Sequence, residues 1–210
     1  MQSEVSTAGV DQDRGRTVEE LERELGEAHR RETATADILS VISRSPTNVQ
    51  PVFEAIVESG RKLFAGAAVS VALPEGDEIK LKALAEPDGG LAQTLRGRFP
   101  VSLTREYMLG VAILDGRVVE FEDVQDAPGE VAAGVRNFLA SGYRATTVMP
   151  MMRGDIAIGA ISVFRLAPGP LSGKQVAMLK TFADQAVIAI ENTRLFEAEQ
   201  ARTRELTESL

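Results

Sequence analysis

In Ala145–Arg165, ATTVMPMMRGDIAIGAISVFR, two apolar runs flank a three-residue break, Arg153-Gly154-Asp155. β-Branched and apolar residues on both sides of a Gly-containing connector predict a β-hairpin, and Gly154 supplies a backbone that tolerates positive φ. Val148, Met149, Met151 and Met152 on one arm, with Ile156, Ile158, Ile161, Val163 and Phe164 on the other, leave little polar surface on either face. Such strands belong inside a sheet that is covered on both sides.

Outward from this hairpin the chain carries further signals of an antiparallel sheet with helices. On its N-terminal side, Val69–Leu73 reads as a strand, Pro74–Asp77 as a turn, and Ile79–Ala85 alternates as a half-buried strand does. Asp88-Gly89-Gly90 opens a looser region to about Asp115, with helical patterns at Leu91–Leu95 and Thr104–Leu114. Asp115-Gly116 fits either a hairpin turn or a helix C-cap, and the helical pattern before it favours the cap. Arg117–Phe121 reads as a third strand region, Glu120–Asp126 as an acidic loop, and Val131–Ala140 as an amphipathic helix closed by Gly142.

Both ends of the chain predict long helices. Val18, Leu21, Leu25, Ala28, Glu32, Thr35, Leu39 and Ile42 recur at steps of three and four, the spacing of a coiled-coil seam, and Pro46 ends the run. Glu32 and Thr35 weaken the middle, so a helix that simply covers its own domain is the alternative. A second helix carries Phe53, Ile56, Val57, Leu63 and Phe64 close to one face and should lie on the sheet. The last helix starts near Ser172, an N-cap candidate, and continues through Leu179, Phe182 and Ile190 to the end. In its charged second half Ile188, Asn192, Leu195, Glu199, Arg202 and Leu206 again step by threes and fours, as in a connector that outruns its domain.

Composition narrows the function classes. A 210-residue chain with 44% hydrophobic content fits one domain with extensions. Its net charge of −8 argues against binding a phosphate backbone, so no nucleic-acid partner is expected. The absence of cysteine excludes disulfides, thiolate metal sites and thiol nucleophiles. No apolar run is long enough to span a membrane, and a cytoplasmic protein is expected. Residues 1–16 read as a disordered or added tail, 17–45 as an N-terminal helix or coiled coil, 46–190 as the domain and 191–210 as a C-terminal signalling helix.

Three segments resemble GAF domains, the small-molecule sensor modules of bacterial signalling proteins. They are ATADILSVISRSPTNVQPVFEAIVESGRKLF, GYRATTVMPMMRGDIAIGAISVFR and LKTFADQAVIAIENTRLFEAEQ, and together the resemblance covers about residues 34–200. It implies an α+β, PAS-like fold: a central antiparallel sheet with the long terminal helices on one face and short helices over a ligand cavity on the other. Sensor histidine kinases of two-component systems and nucleotide cyclases carry such modules, which places any output domain outside this chain.

The sites of that family are tested residue by residue. Covalent bilin attachment and the sulfoxide-reductase chemistry of the family require cysteine and are excluded. His29, the one histidine, precedes the resembling domain, so haem is not expected; nor does EAHRRET match a phosphoacceptor motif. Phe182 is followed by Ala183-Asp184-Gln185, a departure from the cyclic-nucleotide pattern. Gly169–Gln175 has the wrong glycine spacing for a phosphate loop, and Arg153-Gly154-Asp155 is a turn before it is an adhesion motif. Glu120, Glu122, Asp123 and Asp126 read as a solvated acidic loop rather than a cation site, and no metal is expected.

The resemblance places the cavity against Phe99–Leu114, Val119, Phe121 and the start of the hairpin. Arg105, Tyr107, Tyr143, Arg144 and Thr146 are the candidates to orient an unidentified small molecule, with a solvated surface role the alternative for each arginine. Leu21, Leu25, Leu39, Ile188, Leu195 and Leu206 are the expected contacts of a homodimer. The expected function is a non-catalytic regulatory module that relays ligand or partner binding through a dimeric coiled coil. A degenerate domain serving only as a dimerisation spacer is the alternative.

Overall fold

The computed structural model describes residues 18–87 and 95–208. Along the chain these form α1 (Val18–Arg44), α2 (Gln50–Leu63), β1 (Ala67–Glu75), β2 (Glu78–Ala85) and β3 (Val101–Ser102), then α3 (Met108–Asp115) and β4 (Val119–Phe121). Two 3-10 turns lead to α4 (Ala132–Leu139), β5 (Ala145–Arg153), β6 (Ile156–Arg165) and α5 (Gly173–Glu208). The readings of residues 1–16, of Asp88-Gly89-Gly90 and of Leu91–Thr94 lie outside the described residues.

The six strands form one antiparallel sheet in the order β3-β2-β1-β6-β5-β4. The predicted central hairpin is β5–β6. Because Arg153 pairs with Ile156, its loop narrows to Gly154-Asp155, and Gly154 holds φ +58. Two-residue hairpin loops take positive φ at the first central position, where glycine has no Cβ to clash. Strand β1 lies beside β6 and joins the two hairpins at the centre of the sheet.

Several boundaries shift for identifiable reasons. β1 runs through Pro74 and Glu75, which pair with Ile79 and Glu78, so the expected Pro74–Asp77 turn is only Gly76-Asp77. Proline is tolerated there because it lies at the end of the ladder. β3 was not predicted: two residues paired with Glu78 and Ile79 are too short to show alternation. Thr104–Tyr107 stays non-helical, and α3 begins at Met108. Gly116 caps it in the left-handed region at φ 61, ψ 29, which decides for the C-cap. Ser172 is the N-cap of α5: its Oγ accepts from the Gln175 N–H at 3.3 Å, and the Gln175 side chain accepts from the Ser172 N–H at 2.9 Å.

Alternation along the strands divides the core in two. Val69, Val71, Met149, Met151, Ile161 and Val163 point to one face, where they meet α1, α2 and α5 through Ile38, Phe53, Ile56, Leu179 and Phe182. Ala68, Ala72, Val148, Ala160 and Phe164 point to the other, under α3 and α4. This is the two-sided arrangement that the resemblance implies.

The terminal helices are covered on one side only. Ala34, Ile38 and Ile42 bury the second half of α1 against the domain. Val18, Leu21, Leu25 and Leu39 lie exposed on α1, and Ile188, Leu195 and Leu206 on α5, with Leu25 at 72% and Leu195 at 67% exposure. No helix among the described residues is long and apolar enough to cross a membrane.

Candidate functional site

The face under α3 and α4 contains a cavity of about 60 Å³. Strands β5 and β6 form its floor through Thr146, Val148 and Phe164. Tyr107, Met108 and Leu109 at the start of α3 close one side, and Gly134, Asn137 and Phe138 of α4 close another. Arg98, Phe99 and Val101 complete the wall. The α4 residues lie at i, i+3 and i+4, one face of a helix. Gly134 lets the chains approach closely: its N–H donates to the Glu106 carbonyl at 2.9 Å. Phe138, Tyr143 and Phe164 form an aromatic cluster beneath, with ring centroids 5.4–5.8 Å apart.

Two polar groups in this wall stand out. Thr146 is 0% exposed, and its Oγ1 finds no hydrogen-bond partner among the described residues. Arg98 donates from Nη1 to Asn137 Oδ1 at 3.2 Å, while its buried Nε lacks a partner among the described residues. Buried polar groups are nearly always paired, because leaving one unmet costs on the order of 1–3 kcal/mol. Unmet groups on a concave wall are therefore where a bound molecule would supply the missing atoms.

The five residues singled out from the sequence part company. Tyr107 and Thr146 line the cavity together. Arg105 is exposed and pairs with Asp115 at 2.6 Å, which holds the Asp115 carboxyl below its usual range. Arg144 forms a fork with Asp123 and also donates to Gln125 at 3.1 Å, and this pairing lowers the Asp123 carboxyl. Tyr143 is buried and donates to Glu86 Oε1 at 2.8 Å. Burial raises both groups of that pair: the Glu86 carboxyl sits above its ordinary value, although the Tyr143 hydrogen bond pulls the other way, and the Tyr143 hydroxyl is raised by burial and by Glu86.

Sequence reasoning missed Arg98, Asn137 and Phe138. The helical spacing of Gly134, Asn137 and Phe138 was a usable signal, since it puts a polar amide beside an aromatic ring on the buried side of α4. Arg98 carried no such pattern, because it lies in an irregular segment. The acidic residues do not converge on a cation: Asp123 is taken by Arg144, and Glu120 accepts from Thr147 at 3.0 Å and from the Leu171 N–H at 3.2 Å. No group of three or more metal-ligating side chains occurs among the described residues. A wider groove of about 320 Å³ lies where α1, the end of α2 and the start of α5 meet, but its cations Arg30, Lys62 and Lys174 are solvent-exposed, the half-buried Arg31 donates from Nε to the Glu27 carbonyl at 3.4 Å, and no buried unmet group among the described residues lines it.

Comparison with known proteins agrees with this fold. No curated protein matches the sequence. Among solved structures, the free methionine-R-sulfoxide reductase of Neisseria meningitidis is similar at TM-score 0.64 and 19% identity, over 81% of this chain and 93% of that one. A domain of a two-component sensor histidine kinase protein from Sinorhizobium meliloti is similar at TM-score 0.57 and 18% identity, over 73% and 97%. The phycoerythrobilin-bound GAF domain of a cyanobacterial phytochrome is similar at TM-score 0.62 and 15% identity, over 80% and 97%. At such identities these likenesses establish the fold alone. The family model of the GAF domain matches residues 46–191 of the 210, and the chain belongs to the GAF domain family.

Proposed function

We propose that this chain is a non-catalytic sensory module of a cytoplasmic bacterial signalling protein. It binds a small molecule under α3 and α4 and relays occupancy through a parallel homodimer to an output domain beyond these residues, of the histidine-kinase or cyclase kind. In this reading residues 46–190 sense, and 17–45 with 191–210 couple. One observation carries it: the floor of the cavity is also the platform of the exit helix. On β5, Thr146 and Val148 face the cavity while Thr147, Met149 and Met151 face the opposite side, where α5 packs. The hairpin end is tied to that helix by Arg153 Nη1 donating to Glu191 Oε1 at 3.1 Å.

A ligand that fits one setting of β5 better than another shifts the population of the helix packing attached to it. The exposed leucines of α1 and α5 give that packing a second molecule to act on, and apolar stripes of this length are unfavourable in water. Leu21, Leu25, Leu39, Ile188, Leu195 and Leu206 are the proposed contacts. A regulatory role is also supported by composition, since a chain without cysteine lacks a thiol for catalysis or covalent cofactor attachment.

The reading is tested by thermal-shift screening of the chain against metabolites and nucleotides, with solution mass measured in parallel. A stabilising ligand and a dimer at tens of micromolar are expected, because a molecule that binds only the native state raises its melting temperature. A dimer with no hit across a broad panel would favour the spacer reading instead. A monomer would remove the relay.

A further inference from the structure

We infer that the cavity takes a short aliphatic monocarboxylate, with Arg98 Nε and Thr146 Oγ1 meeting its carboxylate and the apolar wall holding its chain. This rests on the reading above that the cavity is a ligand site. Size comes first. About 60 Å³ of room, at roughly 10–15 Å³ for each water-sized group, accommodates about four to six non-hydrogen atoms. Butyrate fits that measure; a nucleotide does not.

Charge comes second. Arg98 brings a cationic guanidinium into the wall, and no carboxylate pairs with it among the described residues; its one side-chain partner is the neutral amide of Asn137. A part-buried positive charge without a counter-charge is unfavourable unless an anion completes it. A guanidinium and a carboxylate are matched in geometry as well as in sign. With Nη1 turned to Asn137, the buried and unmet Nε–H is a donor available to the ligand, and the Thr146 hydroxyl supplies another.

The rest of the wall sets the body of the molecule. Phe99, Val101, Leu109, Phe138, Val148 and Phe164 offer no side-chain polar atom. A second carboxylate on the ligand would be stripped of water with no further cation in this lining to meet it, so a monoanion with a hydrocarbon chain is selected over a dicarboxylate.

The test is calorimetric titration of the chain with sodium butyrate and, as the neutral isostere, butyramide, at matched ionic strength. Butyrate should bind, and butyramide should bind at least about tenfold more weakly, the size of one unmade charged hydrogen bond. Arg98→Gln should erase that difference by weakening butyrate alone. Thr146→Val, which keeps shape, should weaken butyrate severalfold without lowering the melting temperature of the free chain. Equal binding of the two ligands, or butyrate binding indifferent to both substitutions, would overturn the assignment. If butyrate fails but a metabolite from the broad panel binds in a manner sensitive to Thr146→Val, the monocarboxylate is wrong and the sensory reading stands. If nothing binds, both fall.

Discussion

The two faces of the sheet are built to different standards. Under α1, α2 and α5 the core is filled by large side chains with almost no accessible surface, including Phe53, Ile56, Leu179 and Phe182. Under α3 and α4 the strands present Ala68, Ser70, Ala72, Ala160 and Ser162, all small, and the hydroxyls of Ser70, Ser162 and Thr146 have no partners among the described residues. Small floor residues let short helices lie close to the sheet, and the polar atoms left there give up stability. The contrast teaches that the helix-covered face is filled by large side chains while the other is floored by small ones; unmet buried polar atoms occur on both, since Gln185 Oε1 of α5 also lacks a partner among the described residues.

The contrast can be attacked first at its strongest point. Phe182→Ala should cost about 3–5 kcal/mol in chemical denaturation, since a fully buried ring is removed from a packed face. A loss under about 1 kcal/mol would mean that the helix-covered face is no better packed than the other, against the usual cost of large core truncations. Gly110→Ala tests the opposite side: a Cβ there would overlap the Thr104 carbonyl, so a destabilisation of about 1–3 kcal/mol is expected from forced movement of α3. Full tolerance of the methyl group would show α3 to be loosely seated.

A sharper version uses two neighbouring threonines on β5. Thr147 faces the helix side, donates to Glu120 at 3.0 Å and accepts from Arg165 Nη2 at 3.4 Å; Thr146 faces the cavity with no partner among the described residues. Thr147→Val should destabilise by about 1 kcal/mol, whereas Thr146→Val should stabilise by about the same amount. Equal signs in urea denaturation would dissolve the distinction between the faces.

The smallest effect concerns pH. Burial raises the Glu86 carboxyl above 4.5, its ordinary value. The folded chain therefore holds this proton more tightly than the unfolded chain. The associated stability is fully present below about pH 4.5 and is lost as pH rises through the higher folded-state value. Glu86→Gln should flatten that part of the stability-against-pH curve, so the variant gains on the wild type between pH 4 and 7. A parallel pair of curves would place Glu86 in water, outside the wall behind Tyr143.

Much of the fold was legible because repetition survives noise. The β5–β6 hairpin was announced by Gly154 between apolar runs, α5 by Ser172 and a continuous 3.6-residue period, and the layered α+β plan by resemblance at both ends. β3 was illegible because two residues cannot display a period, and the span of β1 was misjudged because a proline breaks a strand only where the ladder needs an N–H donor at that position, and Pro74 lies near the end of the ladder. At the site, Thr146 and Tyr107 were named in advance and line the cavity, while Arg105 and Arg144 lie in ion pairs with Asp115 and Asp123. An arginine's destination depends on which carboxylate the fold brings near, and Asp115 is ten residues from Arg105 and Asp123 twenty-one from Arg144.

The amino-acid sequence by itself determined most of the elements, their inward faces, the acidic net charge and the chemistry that a chain without cysteine cannot perform. These are properties of local pattern and composition, and they need no knowledge of what meets what. Tertiary structure alone decided that Arg98, Asn137 and Thr146, from a loop, a helix and a strand, share one small cavity whose floor backs onto the exit helix. Such a site depends on contacts between residues far apart in the chain, and the three-dimensional path of the backbone is what selects them.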